Sequence, residues 1–259
     1  MLIDSHVNLH AHQYDEDRQA VIDRAREAGI ELMVTICDKI PSFESVHAIA
    51  MAHDDIWCTV GAHPHEAKDH VELTTERLVE LAGRPKVIGI GETGLDFHYD
   101  LSPRDVQAKV FRAHVAAARQ TGLPLVVHTR EADAVMGEIL EAEYAKAPFK
   151  ILMHCYTSGA ELAKRMAALG AWFSVSGIAT FKQAQEVRDI IADMPADKII
   201  LETDCPYLAP VPMRGRRNEP AYLPHVLDKL AEVRGWTRAE AEVRTEDAFF
   251  ALFDRVPRP

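Results

Sequence analysis

The sequence predicts an α/β fold, a TIM-type (β/α)8 barrel forming a single domain over residues 1–259. Three observations carry that expectation. Eight short runs are nearly continuous in apolar and β-branched residues, which is how strands buried on both faces of a parallel sheet read. Stretches with helical periodicity separate them, and strand then helix repeated eight times is the barrel pattern. No Ser/Gly-rich linker or low-complexity segment interrupts the chain, and its 259 residues are a length that one barrel reaches as one domain. An open doubly wound sheet is the alternative. It would call for a G-x-G-x-x-G opening a helix after an early strand, and none is present.

In chain order the expected strands are "MLIDSH" (1–6), "ELMVTIC" (31–37), "WCTVGAH" (57–63), "KVIGIGE" (86–92), "LPLVVH" (123–128), "KILMHC" (150–155), "WFSVSG" (172–177) and "KIILETD" (198–204). Between them "EDRQAVIDRAREAG", "PRDVQAKVFRAHVAAARQTG" and "AELAKRMAALG" read as helices, each closing on the glycine favoured just past a helix end. The tail, "EPAYLPHVLDKLAEVRG" followed by "RAEAEVRTEDAFFALF", reads as two closing helices.

Composition narrows the function. A formal net charge of -11 weighs against coating nucleic acid through a broad basic face, because such binding draws most of its affinity from neutralised phosphates. It leaves local phosphate recognition open, since divalent cations or a few arginines invert the local field, and "MRGRR" at 213–217 is the densest basic cluster. No apolar run approaches a membrane span and the start resembles no secretion signal, so the expected location is cytoplasmic. Cys37, Cys58, Cys155 and Cys205 are scattered without a CxxC pair, which argues against a disulfide framework or a structural zinc site.

Chemistry in such a barrel gathers where the strands end. Strand one closes on Asp4, Ser5, His6, Val7 and Asn8, strand three on His63 and His65, strand four on Glu92, strand five on His128, strand six on His154 and strand eight on Asp204. Glu92 is expected to end its strand, with Thr93-Gly94 turning the chain away. Each residue alone has an ordinary reading as a hydrogen-bonded histidine, a helix cap or a solvated carboxylate. Together, imidazoles and carboxylates at one mouth are the donors that zinc, manganese or magnesium take.

The blocks "DSHVN", "GAHPH", "IGIGETGLDF", "PLVVHTREA", "LMHCYTSG" and "IILETDCPYLAPVPMRGRRNEP" resemble, in order and along the whole chain, those of the TatD-like metal-dependent deoxyribonuclease family of the amidohydrolase superfamily. The last block is the most specific. The resemblance implies a divalent-metal-dependent barrel hydrolase acting on phosphodiesters, with single-stranded DNA or another phosphodiester at the barrel mouth and no obligate protein partner. It implies two divalent ions (Mg, Mn or Zn) bridged by Glu92, one also held by His6, Asn8 and Asp204, the other by His128 and His154. Asp204 is implied as the acceptor of the attacking water's proton. Strand alternation puts Glu202, two residues earlier, on the same face, where it reads equally as a supporting partner or as half of a structural charge pair inside the barrel. His63, His65, Arg130, Tyr156 and Arg214 are implied as substrate contacts.

One block departs from the pattern. Where the family reads His-x-His, this chain has His6-Val7-Asn8. An Asn amide oxygen is a neutral, harder donor than imidazole, which tilts the first site toward magnesium or manganese. His10 could substitute only if the chain folds back, because it lies about 6 to 7 Å further along an extended strand; loss of that ion is a third outcome. Two other functions stay open: a deacylase or amidohydrolase cleaving a carboxylic ester or amide with the same activated water, and a degenerate non-catalytic binding protein.

Overall fold

The computed structural model describes residues 1–258. Its strands are β1 (Leu2–Val7), β2 (Ile30–Thr35), β3 (Ile56–Val60), β4 (Val87–Asp96), β5 (Leu125–Arg130), β6 (Ile151–Met153), β7 (Trp172–Val175) and β8 (Ile199–Leu201). They form one sheet in that order, all neighbouring pairs parallel. The ends of the sheet meet just beyond β1 and β8. Val7 bridges Cys205, the Asn8 amide donates to the Cys205 carbonyl at 2.9 Å, and the Asp204 amide donates to the His6 carbonyl at 3.0 Å.

Seven helices connect successive strands: α1 (Arg18–Glu27), α2 (Phe43–Ala52), α3 (Thr75–Ala82), α4 (Arg104–Thr121), α5 (Asp133–Lys146), α6 (Ala160–Ala168) and α7 (Gln185–Asp193). α8 (Leu223–Arg234) and α9 (Arg238–Leu252) follow β8. Both α4 and α8 stop at glycines in the left-handed conformation, Gly122 and Gly235, whose amides bond back into the last turn. α9 starts on a reciprocal capping box between Thr237 and Glu240.

Side chains from alternate strand positions, including Leu32, Val34, Val126, Leu152 and Ile200, fill one core cluster together with Phe249 and Leu252 of α9 and Phe253 just after it. α9 therefore plugs the end of the barrel where the strands begin. Lys150, just before β6, donates to the carbonyls of Ala251 and Leu252, and the N-terminal amine of Met1 pairs with Glu246 at 2.8 Å. With that end sealed, the strand C-termini are the open end. No helix among the described residues is long and apolar enough to cross a membrane.

The expected end of β4 is wrong. β4 does not end at Glu92 but pairs on with β5 as far as Asp96, through Thr93–Val127, Gly94–His128, Leu95–Thr129 and Asp96–Arg130. Thr93-Gly94 is strand rather than turn, and the glycine has a different purpose: a Cβ at position 94 would overlap the carbonyl oxygen of His128. β6 and β8 are correspondingly shorter than their apolar runs, so His154 and Asp204 sit on the segments that leave the sheet.

Candidate metal centre and active site

Strand alternation builds the centre. Val126 and His128 share a face of β5, Leu152 and His154 share parity along β6, and Ile200 and Glu202 do so along β8; the apolar member lies in the barrel core and the polar one above it. Glu92 is buried at the middle of this layer, and its two carboxylate oxygens face different partners. Oε2 is 3.3 Å from His6 Nε2, which lies 3.6 Å from Asp204 Oδ1. Oε1 is 2.9 Å from His154 Nε2, 3.1 Å from His128 Nδ1 and 3.4 Å from His63 Nε2. Two groups sharing Glu92 could hold a cation: His6 with His154, and His63 with His128.

The outer hydrogen bonds decide which ring nitrogens have a lone pair to give. His154 Nδ1 lies 3.2 Å from Glu202 Oε1, an acceptor for the Nδ1 proton, so Nε2, 2.9 Å from Glu92 Oε1, is the nitrogen a cation would take in place of its proton. Glu202 is held in turn by the Ser174 hydroxyl at 2.5 Å. His128 Nε2 lies 3.1 Å from Asp96 Oδ2, so Nδ1, 3.1 Å from Glu92 Oε1, is the nitrogen a cation would take. His63 is arranged oppositely: its Nδ1 accepts the His65 amide at 3.1 Å, so in the neutral ring Nε2 carries the proton. In that tautomer it is a donor toward Glu92, which sets it apart from His128 in the second group. His6 is buried with no hydrogen-bond partner on either ring nitrogen. An imidazole stripped of water and left unpaired is costly unless something else takes its lone pair, and a divalent cation between His6, Glu92 and Asp204 does so. The donors present therefore fit cations.

Charge follows the geometry. Burial alone would raise the Glu92 carboxyl, but His154, His63, His6 and His128 outweigh it and hold the group well below the usual carboxylate range. Burial disfavours the charged form of His154, yet Glu92 and Glu202 raise it well above an ordinary imidazole. Burial pushes Asp204 up to about 6, opposed by His6 and His154 and reinforced by Glu202 and Glu92. His63, desolvated, is pushed down to about 4.

These groups open into a cavity of about 1640 Å³. Asn8, His63, His65, Glu92, Arg130, His128, His154 and Asp204 are on its wall, and His6 lies directly beneath. The Asn8 amide nitrogen donates to the Cys205 carbonyl at 3.1 Å, which leaves the amide oxygen as its remaining donor atom. His10 reaches the wall but is paired with Asp38 at 3.0 Å. Two residues expected to touch substrate lie elsewhere. Tyr156 is buried against Phe173 with its hydroxyl on the Gly159 carbonyl, because Cys155 takes a φ of 43° and breaks the alternation that would have aimed it inward. Arg214 is exposed and stacked over Phe181, 3.9 Å from the ring centroid, off the cavity wall. Arg217 is committed to Asp17, so the basic cluster does not face the site.

Asp96 is a participant the sequence reading passed over. Fully buried, it accepts four hydrogen bonds: the amides of His98 and Tyr99 on Oδ1 at 3.0 and 2.9 Å, and the Nε2 atoms of His65 and His128 on Oδ2 at 2.9 and 3.1 Å. Gln107 of α4 clamps its backbone on both sides, at 2.8 and 3.1 Å. The signal was its spacing from Glu92, visible only once the strand is known to continue.

The chain is 39% identical over 249 residues to the uncharacterized metal-dependent hydrolase YabD of Bacillus subtilis, covering 96% of this chain and 97% of that protein. It is 31% identical over 261 residues to the 3'-5' ssDNA/RNA exonuclease TatD of Escherichia coli K12, covering 97% and 100%. The solved structure of YjjV, a TatD homologue from Escherichia coli, superposes with a TM-score of 0.91 at 26% identity, covering 99% of this chain and 98% of that one. The family model for TatD related DNase matches residues 3–254, and the chain belongs to that family.

Proposed function

We propose that the protein is a metal-dependent exonuclease that hydrolyses phosphodiester bonds of single-stranded DNA or RNA, as the names of its exonuclease relatives suggest for them. The observation that supports it most is the division of Glu92: one oxygen toward His6 and Asp204, the other toward His128 and His154. We assign one cation to His6, Asn8, Glu92 and Asp204 and the other to Glu92, His128 and His154. When bound, divalent cations there lower the pKa of a water and neutralise phosphate oxygens, which is the chemistry a phosphodiester requires.

The protein's own groups supply the rest. Asp204, at the cavity edge, takes the proton of the attacking water. His63, its proton fixed on Nε2 by the His65 amide, turns that donor from Glu92 to a phosphate oxygen when cations take up the carboxylate. Arg130 supplies a second cationic contact on the wall. Glu202 and Asp96 hold the rings of His154 and His128. The test uses chelator-stripped protein and a 5'-labelled single strand, with and without added Mn or Mg. Progressive shortening from the 3' end only with metal is expected; an intact strand under every metal overturns the proposal.

A further inference from the structure

Resting on the nuclease reading above, we infer that Tyr99 and Tyr207 are a pair of base-stacking platforms on opposite sides of the mouth, so that the strand is gripped by its bases on either side of the reacting phosphate. Every other Phe, Tyr and Trp of the described residues is buried or half-buried, whereas these two are each 53% exposed. Both line the cavity. Tyr99 follows β4 and Tyr207 follows β8, four strands apart in an eight-stranded ring, which puts them across the mouth from each other. Isolated apolar side chains on a surface need no explanation, but chance scatter does not gather both exposed aromatics on one wall.

Both are also held in place. Tyr99 donates its amide to Asp96 Oδ1 at 2.9 Å, and Tyr207 donates its amide to the Asp204 carbonyl at 3.1 Å while its own carbonyl accepts from buried Asn218 at 2.5 Å. Each ring is therefore presented from a backbone tied to an acidic residue of the centre, Tyr99 to the Asp96 carboxylate and Tyr207 to the Asp204 main chain. The Arg130 guanidinium lies 4.8 Å from the Tyr99 ring centroid, setting a phosphate donor beside an aromatic surface.

Charge makes such a grip necessary. Lys39 and Arg130 are the only lysine and arginine on the wall, against eight carboxylates. Phosphates are poorly served by that field, and cations can serve only those at the centre. Base stacking supplies affinity without regard to sequence, and only unpaired bases have faces to offer, which selects single strands over duplex.

The test compares kcat/KM, with metal, on an ordinary single strand and on an abasic strand of equal length. Wild type should prefer the ordinary strand. Tyr99→Ala and Tyr207→Ala should each cut that preference about tenfold, as expected from losing one stacked base, and Tyr→Trp at either position should restore it. Equal kcat/KM on the two strands in wild type, or a preference unchanged in both alanine variants, overturns the stacking pair while leaving the nuclease reading in place. A wild type that cuts neither strand overturns the nuclease reading, and the stacking pair with it.

Discussion

Replacing Asp96 by Asn isolates the outer hydrogen bonds from the centre they serve. The carboxylate is an acceptor on both oxygens, and His128 and His65 help hold it below the usual carboxylate range against the effect of burial. An amide offers one acceptor oxygen and an NH2. If the oxygen keeps the amides of His98 and Tyr99, the NH2 meets two imidazole N–H groups, and His128 must move its proton to Nδ1, the atom 3.1 Å from Glu92. Two hydrogen bonds to a charged acceptor, each worth about 1.5–3 kcal/mol, are lost or inverted. Through the ligand it orients, the change should weaken cation binding about 10- to 100-fold. Calorimetric titration of stripped protein with Mn reads this directly, and nitrogen-resolved NMR should find the proton of His128 on Nε2 in wild type and displaced in the variant. Folded Asp96→Asn protein with unchanged Mn affinity and an unchanged His128 tautomer would refute the reasoning.

Other perturbations read other parts of the account. Asp204→Asn should lower kcat about 10²- to 10⁴-fold while Mn remains bound, since the amide keeps an oxygen donor; full activity would remove its role as proton acceptor. Asn8→His should tighten zinc at the site shared with His6, and an unchanged zinc affinity would exclude position 8 from that site. Away from the centre, buried Glu143 is paired with Arg112, Arg119 and Lys146 at 2.6, 2.9 and 2.8 Å. Burial raises its carboxyl, but the three cations lower it below its ordinary value. Its stabilisation is then present above the unfolded carboxylate pKa and lost as pH falls through the lower folded value. Glu143→Gln should cost about 1–3 kcal/mol in urea unfolding at pH 7, and the gap from wild type should close on acidification; a gap independent of pH would contradict the assignment.

The barrel was legible because its signal is repeated: each of the eight apolar runs overlaps an observed strand, and Gly29, Gly122 and Gly170 follow α1, α4 and α6 in the left-handed conformation. The histidines and carboxylates at the strand ends were legible for the same reason, since a barrel brings all such ends to one rim. What failed depended on single backbone positions. Gly94 reads as a turn former, but its function is close approach to β5, so Asp96 went unnoticed. Tyr156 follows His154 at the spacing of a shared face, yet the left-handed φ of Cys155 reverses it. Arg214 lies in a long proline-containing connection where no periodicity fixes direction, and the structure turns it onto Phe181. Proton placement was invisible too: which ring nitrogens of His63 and His128 carry a proton depends on partners from elsewhere in the chain, the His65 amide and Asp96.

As proposed above, Glu92 serves two cation sites. Mn stoichiometry, measured side by side on stripped wild type and Glu92→Gln, tests it most directly. The account predicts two equivalents for wild type and weakening of both together in the variant, because one side chain serves both. Two equivalents bound equally tightly by Glu92→Gln would contradict it.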